Sequence, residues 1–229
     1  MQDTSLNKLS EQLLLAVKSR TDTAELIGKL SEYSMKSLKQ ELSTDARKIA
    51  FWVNLYNAYF QILRKEHNLV KPAIYRERRV KIARTLSSLD DIEHGILRKF
   101  RYKYSLGFFA NIFTSRLIKS LAVDTLDYRV HFALNCGAES CPPIAFYNVT
   151  NLDAQLDMAT QSFLESESDY DDKNKLLHTT ALFRWFFADF GGKQGIIDIY
   201  NKQLGKDISS YKIKYKKYSW EEVLDNYSE

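Results

Sequence analysis

An apolar stretch between residues 50 and 63 has the character of a buried helix. Its large apolar side chains surround a helix on nearly every side: Phe51, Trp52, Val53, Leu55, Tyr56, Tyr59, Phe60 and Ile62. A helix that is hydrophobic all round belongs in the interior of a protein. Ser43, Thr44 and Asp45 are typical of a helix start just before it. The pattern therefore predicts a buried central helix over about residues 45–66.

Three amides interrupt this apolar stretch. Asn54, Asn57 and Gln61 follow the spacing i, i+3, i+7, which places them on one stripe of the helix. Each needs hydrogen-bond partners, because an unpaired buried polar group costs about 1–3 kcal/mol. Most side-chain hydrogen bonds go to backbone or water, which favours amides that fix neighbouring loops. The other interpretation is that Asn54 and Asn57 line a site.

Apolar spacing predicts further elements on either side of the central helix. The first forty residues form one or two amphipathic helices, with one apolar stripe made by Leu6, Leu9, Leu13 and Val17. Other helices are predicted over residues 89–100, 107–122, 151–165 and 182–190. Strands are predicted over residues 79–83, 128–135, 175–180 and 211–218.

Together these elements predict an α+β fold, in which a helix-rich body surrounds the buried central helix and carries a small antiparallel sheet. The sequence contains no internal repeat and no marked change of composition. We expect residues 1–42 to form a helical segment packed on the main domain. Residues 43–229 are expected to form that domain as a single globular unit.

The helix predicted over residues 89–100 holds an unusual carboxylate. Its apolar stripe begins at Leu89, and at 100° per residue Glu93 falls only about 40° from it, inside the stripe. His94 falls on the flank of the stripe and Arg98 on the opposite side. A carboxylate that points at a core must be paired or protonated. Glu93 is therefore a candidate functional residue.

Composition limits the class of protein. The chain is 45% hydrophobic with only 3 Pro and 8 Gly among 229 residues, which is enough apolar material for a full core. Two cysteines cannot build a disulfide framework, so the fold must depend on its core. No stretch reaches the roughly 18 apolar residues that cross a bilayer.

Charge and the N-terminus bear on partners and compartment. The net charge is +4, from 33 basic and 29 acidic residues. Two segments are rich in basic residues, 76–81 and 211–218. No nucleic-acid reading motif accompanies them, so we expect no nucleic-acid partner. Residues 1–20 lack the apolar run of a signal peptide. As written, the chain is expected to be cytoplasmic; it would be periplasmic or secreted if an export signal had been removed.

Most chemistry-bearing side chains gather in residues 129–144, RVHFALNCGAESCPPI. Three interpretations of Cys136 stay open. It is a nucleophile at the end of a strand, or a buried inert thiol continuing an apolar face, or a partner of Cys141 in a metal site or a disulfide. The spacing H-x4-C-x4-C from His131 is not usual for zinc.

The nucleophile interpretation needs a base next to the thiol. His94 or His131 could serve, with Glu93, Asn54 or Asn57 orienting the ring. Backbone N–H groups around Gly137 could stabilise an oxyanion. A different order, a cysteine followed by His178 and Asp189, follows papain-like and transglutaminase-like enzymes, but motif order alone does not transfer between families.

Three motifs occur in the order of a known family. FWVNLYNA (51–58), SLDDIEHGILR (88–98) and RVHFALNCGAESCPP (129–143) resemble the signatures of the domain-of-unknown-function family 547, DUF547. The segments 183–191 and 218–220 also fit, with Ser219 departing from the usual Asp. The resemblance implies a family spread through bacteria and plants, often exported in bacteria, with no agreed activity. It also implies that Cys136, Glu93 and His94 are its steadiest polar residues.

We therefore predict a cysteine-dependent hydrolase or acyl-transfer enzyme acting on a small-molecule or peptide substrate. Cys136 is the nucleophile, His94 the general base and Glu93 its orienter; the predicted substrate-binding residues are Asn54, Asn57, His131 and Asn135. No metal and no cofactor are expected. The alternative is a non-catalytic ligand- or protein-binding module whose polar network is structural. The sequence leaves open whether the protein is an enzyme.

Overall fold

Helices make up nearly half of the protein, whose computed structural model describes residues 2–228. The α-helices are α1 (Ser5–Ser19), α2 (Ala24–Glu32), α3 (Met35–Glu41), α4 (Asp45–Lys65), α5 (Ala73–Arg76), α6 (Arg116–Leu121), α7 (Leu152–Glu167), α8 (Leu182–Trp185) and α9 (Gly192–Leu204). The strands are β1 (Val80–Ile82), β2 (Thr85–Ser87), β3 (Asp169–Asp171), β4 (Leu176–Thr179) and β5 (Lys212–Tyr215). A π-helix spans Asp91–Leu97 and a 3₁₀-helix spans Tyr128–Phe132.

Helix α4 is the buried central helix that the sequence predicts. Every residue from 48 to 63 is buried. The Thr44 side chain accepts a hydrogen bond from the Arg47 N–H and so caps the helix start. Helix α1 packs along α4, with Leu6 and Leu13 fully buried between them and their neighbours. The helix-rich α+β fold around a buried helix is thus confirmed, while the division at residue 42 stays a prediction.

Two small sheets lie at the edges of the helical body. Strands β1 and β2 form an antiparallel hairpin, as expected of the small antiparallel sheet. Strands β3 and β4 pair antiparallel, and β5 joins β4 in parallel, which gives a mixed three-stranded sheet. The lysines of β5 lie on its exposed side. No helix within residues 2–228 is long and apolar enough to cross a membrane.

The predicted strand over residues 128–135 is wrong, because this segment begins as the 3₁₀-helix and continues as irregular backbone. Residues 130 to 135 are all buried, so the alternation of apolar and polar residues here does not correspond to one buried and one exposed face. Its backbone is paired by a side chain instead of a neighbouring strand: Asn57 accepts from the Asn135 N–H and donates to the Ala133 carbonyl, both at 2.9 Å.

The helix predicted over residues 107–122 is also wrong over most of its length. Only α6, Arg116–Leu121, is helical. Gly107 has a φ of +87°, which a continuous helix does not allow. Phe108 and Ile112, two of the apolar residues of this segment, are both exposed.

The helix that carries Glu93 has a different pitch from the α-helix that the sequence predicts. The Arg98 N–H donates to the Glu93 carbonyl, five residues back, because the segment is a π-helix. Each π turn takes up one more residue than an α turn, so positions counted at 100° per residue are wrong beyond it. Arg98, predicted on the side opposite the apolar stripe, is completely buried. π turns occur frequently at functional sites.

The core consists of two apolar clusters that meet at the 3₁₀-helix. One surrounds α4 and includes Val130. The other is rich in aromatic rings, with Phe132 packed against Phe183 and Phe190. A pocket opens between the two clusters.

Candidate functional site

The pocket has a volume of about 590 Å³ and takes its walls from both clusters. Most of its lining is aromatic or aliphatic: Tyr56, Pro72, Tyr75, Tyr104, Leu106, Leu134, Pro142, Leu182, Trp185, Phe186, Tyr218 and Trp220. Its polar lining includes four of the predicted site residues, which are Glu93, His94, His131 and Cys136. An apolar pocket with a few convergent polar groups is the usual form of a ligand site.

A buried ion pair supports the floor of this pocket. Arg98 Nε lies 2.6 Å from Asp189 Oδ2, and both side chains are completely buried. The His131 Nε2–H donates to the same carboxylate oxygen at 3.0 Å. The His131 ring stacks on Phe186 at 4.1 Å between centroids, and the Arg98 guanidinium lies 4.4 Å from the same ring. The side chains of Arg98, Asp189 and His131 are therefore fixed in both position and orientation.

The pKa values of the floor follow from burial and from this ion pair. Burial lowers the pKa of His131, and the nearby Arg98 charge adds to that effect against the opposing influence of Asp189. Burial alone would raise the pKa of Asp189, but the hydrogen bonds and charges of His131 and Arg98 outweigh it and lower that pKa. We infer a neutral His131 beside an ionised Asp189.

His94 is held as a neutral imidazole. Arg98 Nη1 lies 2.8 Å from His94 Nδ1, and since a guanidinium only donates, that ring nitrogen is the acceptor. The ring proton is therefore on Nε2, which lies 3.6 Å from Asp90 Oδ1. Burial, with the Arg98 charge next, lowers the pKa of His94 to about 3. A ring of such low basicity is a poor general base at neutral pH.

The pKa of Glu93 is shifted upward, in the opposite direction to that of His94. Its side chain is 16% exposed, and the Tyr56 hydroxyl donates to Oε2 at 3.2 Å. Burial raises the pKa of Glu93, although Arg98 opposes the effect. The Glu93 charge in turn adds to burial in raising the pKa values of Tyr75 and Tyr218. Among the predicted catalytic residues, Glu93 is the one whose pKa is shifted toward neutrality.

Cys136 and Cys141 form a disulfide at the pocket wall, with Cα atoms 6.0 Å apart, within the usual range. This is one of the alternatives that the sequence leaves open for the pair. Cys136 is half-buried and Cys141 is buried. The Tyr218 hydroxyl lies 3.3 Å from the Cys136 sulfur and 3.1 Å from the Cys141 sulfur. The Cys136 N–H donates to the Cys141 sulfur at 3.0 Å.

The amides predicted to bind substrate are used elsewhere. Asn54 bonds both the N–H and the carbonyl of Tyr147, at 3.0 and 2.7 Å. Asn57 fixes the backbone of residues 133–135. Asn135 donates to the Pro142 carbonyl and accepts from the Gly137 N–H, both at 2.8 Å. All three amides are buried and none lines the pocket, so substrate contact by them stays a prediction that no contact supports.

Two important members of the site are missing from the predicted set. Arg98 was misplaced because the π turn changes the helical phase. The sequence order pairs Asp189 with His178, but His178 lies on β4 and does not line the pocket. The partners of Asp189 are Arg98 and His131. A lone carboxylate within the aromatic run 185–190 is a sequence signal for such a buried partner.

Metal ligation is not suggested by the side-chain arrangement. In residues 2–228, no group of three or more His, Cys, Asp and Glu is placed to hold a metal ion. Lys103 lines the pocket, and its ammonium group pairs with the Asp90 carboxylate. What the site offers chemically is a sulfur pair, a carboxylate of raised pKa and two neutral imidazoles beside aromatic walls.

Fold and site together define an α+β protein with a polar-floored aromatic pocket. A family model described as "Protein of unknown function, DUF547" matches residues 39–164, more than half of the chain. The chain therefore belongs to the DUF547 family, as the motifs predicted. Comparison with curated proteins and with solved structures gives no match. The matched region includes α4, the π-helix and both cysteines.

Proposed function

We propose that the aromatic pocket is the active site of a thiol enzyme, a hydrolase or acyl-transfer enzyme acting on a carbonyl group of a small-molecule or peptide substrate. The observation that supports this is the convergence of Cys136, Glu93, His94 and His131 on one pocket. Strongly shifted titratable groups in a cleft, beside a cysteine, are typical of active sites.

The enzyme works in its reduced state, since the nucleophile is a thiolate and not a disulfide sulfur. A dithiol reductant reduces the Cys136–Cys141 disulfide to two thiols and is itself oxidised to a disulfide. Cys136 is the nucleophile because it is the more exposed of the pair and lines the pocket. The Tyr218 hydroxyl lies 3.3 Å from this sulfur, and a hydrogen bond donated by it stabilises negative charge there.

Glu93 is proposed as the proton acceptor in place of His94. A base works best when its pKa is near the working pH. Burial raises the pKa of Glu93 toward that range and lowers the pKa of His94 to about 3, away from it. The thiol proton passes to the Glu93 carboxylate, and the thiolate attacks the carbonyl carbon. The bond to the leaving group breaks as Glu93 returns the proton to it, which leaves an acyl thioester on Cys136. Water or an acceptor alcohol or amine then attacks the thioester, gives its proton to Glu93 and takes the acyl group, and Glu93 returns that proton to the Cys136 thiolate. His94 and His131 then act as neutral hydrogen-bonding groups.

Cys141→Ser gives the sharpest test, because it frees Cys136 from the disulfide and keeps the nucleophile. We expect this variant to react with iodoacetamide and with p-nitrophenyl acetate without a reductant, at least about tenfold faster than a model thiol. The wild-type protein should react only after reduction. Adducts mapped by mass spectrometry should lie on Cys136.

Two further variants complete the test. Cys136→Ser should abolish acetyl transfer, and Glu93→Gln in the Cys141→Ser background should slow it by about 10²–10³-fold and change its pH profile. Labelling of Cys136 no faster than a model thiol would overturn the enzyme proposal. The site would then be a binding pocket closed on one side by a structural disulfide.

A further inference from the structure

A second feature of the fold lies outside the pocket floor. Residues 101–114, which form what we name the apolar loop, carry large side chains that the protein does not cover. Four of them lie within six positions of one another and are mostly exposed: Phe108 at 54%, Phe109 at 72%, Ile112 at 76% and Phe113 at 88%. Contiguous exposed apolar surface of this kind marks an interaction site.

The base of the apolar loop is well anchored, so its exposed side chains are held outward by the fold. Arg101 and Ala110 form an antiparallel bridge across the loop. The Ala188 N–H donates to the Leu106 carbonyl at 2.9 Å. The backbone of Gly107 lies so close to the Asp189 carboxylate that a Cβ there would overlap it. The loop is therefore anchored at its base and presents its apolar side chains to the outside at its tip.

Positive charge predominates near the apolar loop. The chain has no acidic residue from position 99 to position 119, and its five basic residues there are Lys99, Arg101, Lys103, Arg116 and Lys119. Arg78, Arg101 and Lys103 line a small cleft together with Phe113. Asp90 and Asp91 line the same cleft and pair with Lys103 and Arg78, so three cationic side chains there face two carboxylates. Arg76 also reaches the loop, since its Nη2 donates to the Tyr104 hydroxyl at 3.2 Å.

We propose that the apolar loop docks the protein on the surface of an anionic lipid bilayer. Protruding aromatic and aliphatic side chains enter the boundary between headgroups and acyl chains, while flanking lysines and arginines contact anionic headgroups. Tyr102 and Tyr104, both exposed, suit the interfacial depth where tyrosine is enriched. The excess of positive charge favours this occupant over a second copy of the chain, whose own loop carries the same excess.

Docking would also orient the pocket. Tyr104 and Leu106 belong to the apolar loop and line the pocket. A loop inserted in a bilayer therefore brings the pocket mouth to the lipid surface, where an amphiphilic molecule could enter. The docking inference itself does not depend on thiol chemistry in the pocket.

Vesicle flotation of the full-length chain tests the proposal. The probes are vesicles of phosphatidylcholine alone and vesicles containing one third phosphatidylglycerol. We expect binding to the anionic vesicles, weakening as salt increases, and little binding to the neutral ones. The double variant Phe109→Ser, Phe113→Ser should weaken binding by about a hundredfold or more, because each ring contributes buried apolar area.

Matched variants distinguish docking through the apolar loop from general adhesion of exposed apolar groups to lipid. Met158→Ser changes an apolar side chain that is 69% exposed on α7 and should leave binding unchanged. Cys136→Ser should bind vesicles like wild type, so docking and thiol chemistry can fail independently. No binding to anionic vesicles, or equal binding by the double variant, would overturn the proposal. Self-association without lipid that the double variant abolishes would also overturn it, in favour of a second copy.

Discussion

Two sets of buried polar side chains differ in how their hydrogen bonds are satisfied. On α4, Asn54 and Asn57 each give both ends of their amide to backbone groups. At the pocket floor, Arg98 and Asp189 pair with each other, yet Arg98 Nη2 and Asp189 Oδ1 have no hydrogen-bond partner among the described residues. The Asn54 and Asn57 amides are thus bonded at both ends, whereas the Arg98–Asp189 pair retains unused hydrogen-bonding capacity.

This difference separates structural from functional polarity. A buried amide with two good partners rigidifies the fold and offers nothing to a ligand. A buried charged cluster costs free energy on desolvation, and a hydrophobic replacement is often as stable. Retaining such a cluster beneath a pocket is therefore better explained by the pocket's chemistry than by stability.

The largest expected effect comes from the ion pair at the floor. Asp189→Asn leaves the Arg98 charge buried without its counter-ion, so we expect the free energy of unfolding to fall by about 3–5 kcal/mol. Urea unfolding at pH 7 measures it. The control is Asp153→Asn, where an 85% exposed carboxylate pairs with Arg129; its cost should stay below about 1 kcal/mol. Equal costs would mean that the floor is not a desolvated ion pair.

The amide stripe itself allows an internal comparison. Asn57→Ala leaves the Ala133 carbonyl and the Asn135 N–H buried without partners, which should cost about 2–3 kcal/mol. Both amide atoms of Gln61 already have no partner among the described residues, so Gln61→Ala should cost about 1–2 kcal/mol less. Thermal and urea unfolding of the two variants check this. A costlier Gln61 truncation would show that packing, not hydrogen bonding, dominates on α4.

Local apolar patterning was enough to predict α4, because a helix apolar on every side has few alternatives to burial. The same reasoning failed for residues 128–135, where alternation implied a strand. Nothing in that segment reveals that the partner of its backbone is the Asn57 amide, 76 positions from Ala133. The apolar periodicity of a short segment carries no information about a hydrogen bond to a residue so distant in the chain.

The site was predicted in part for similar reasons. Glu93, His94, His131 and Cys136 do share one pocket, as motif chemistry suggested. The position of Arg98 depends on a π turn, and an extra residue in a turn has no marker in the apolar spacing. Asp189 is 58 positions from His131, so its pairing required the tertiary fold.

The smallest expected effect concerns the proton balance of the floor. The pKa of His94 is lowered from 6.5 to about 3 on folding, first by burial and then by Arg98. Between these two pH values the unfolded chain holds a proton that the folded protein lacks, so stability falls as the pH falls. His131 acts in the same direction, while the raised pKa of Glu93 acts in the opposite one. A variant must therefore isolate the contribution of His94.

His94→Gln removes one titrating ring and should flatten the pH dependence. We expect the loss of unfolding free energy between pH 7 and pH 5.5 to be about 1 kcal/mol smaller than in wild type, because one proton uptake is removed. Urea midpoints of wild type and His94→Gln measured across that range check it. Parallel curves for wild type and His94→Gln would show that His94 is protonated on the folded protein. In that case Arg98 could not donate to Nδ1, and His94 would again compete with Glu93 as the base.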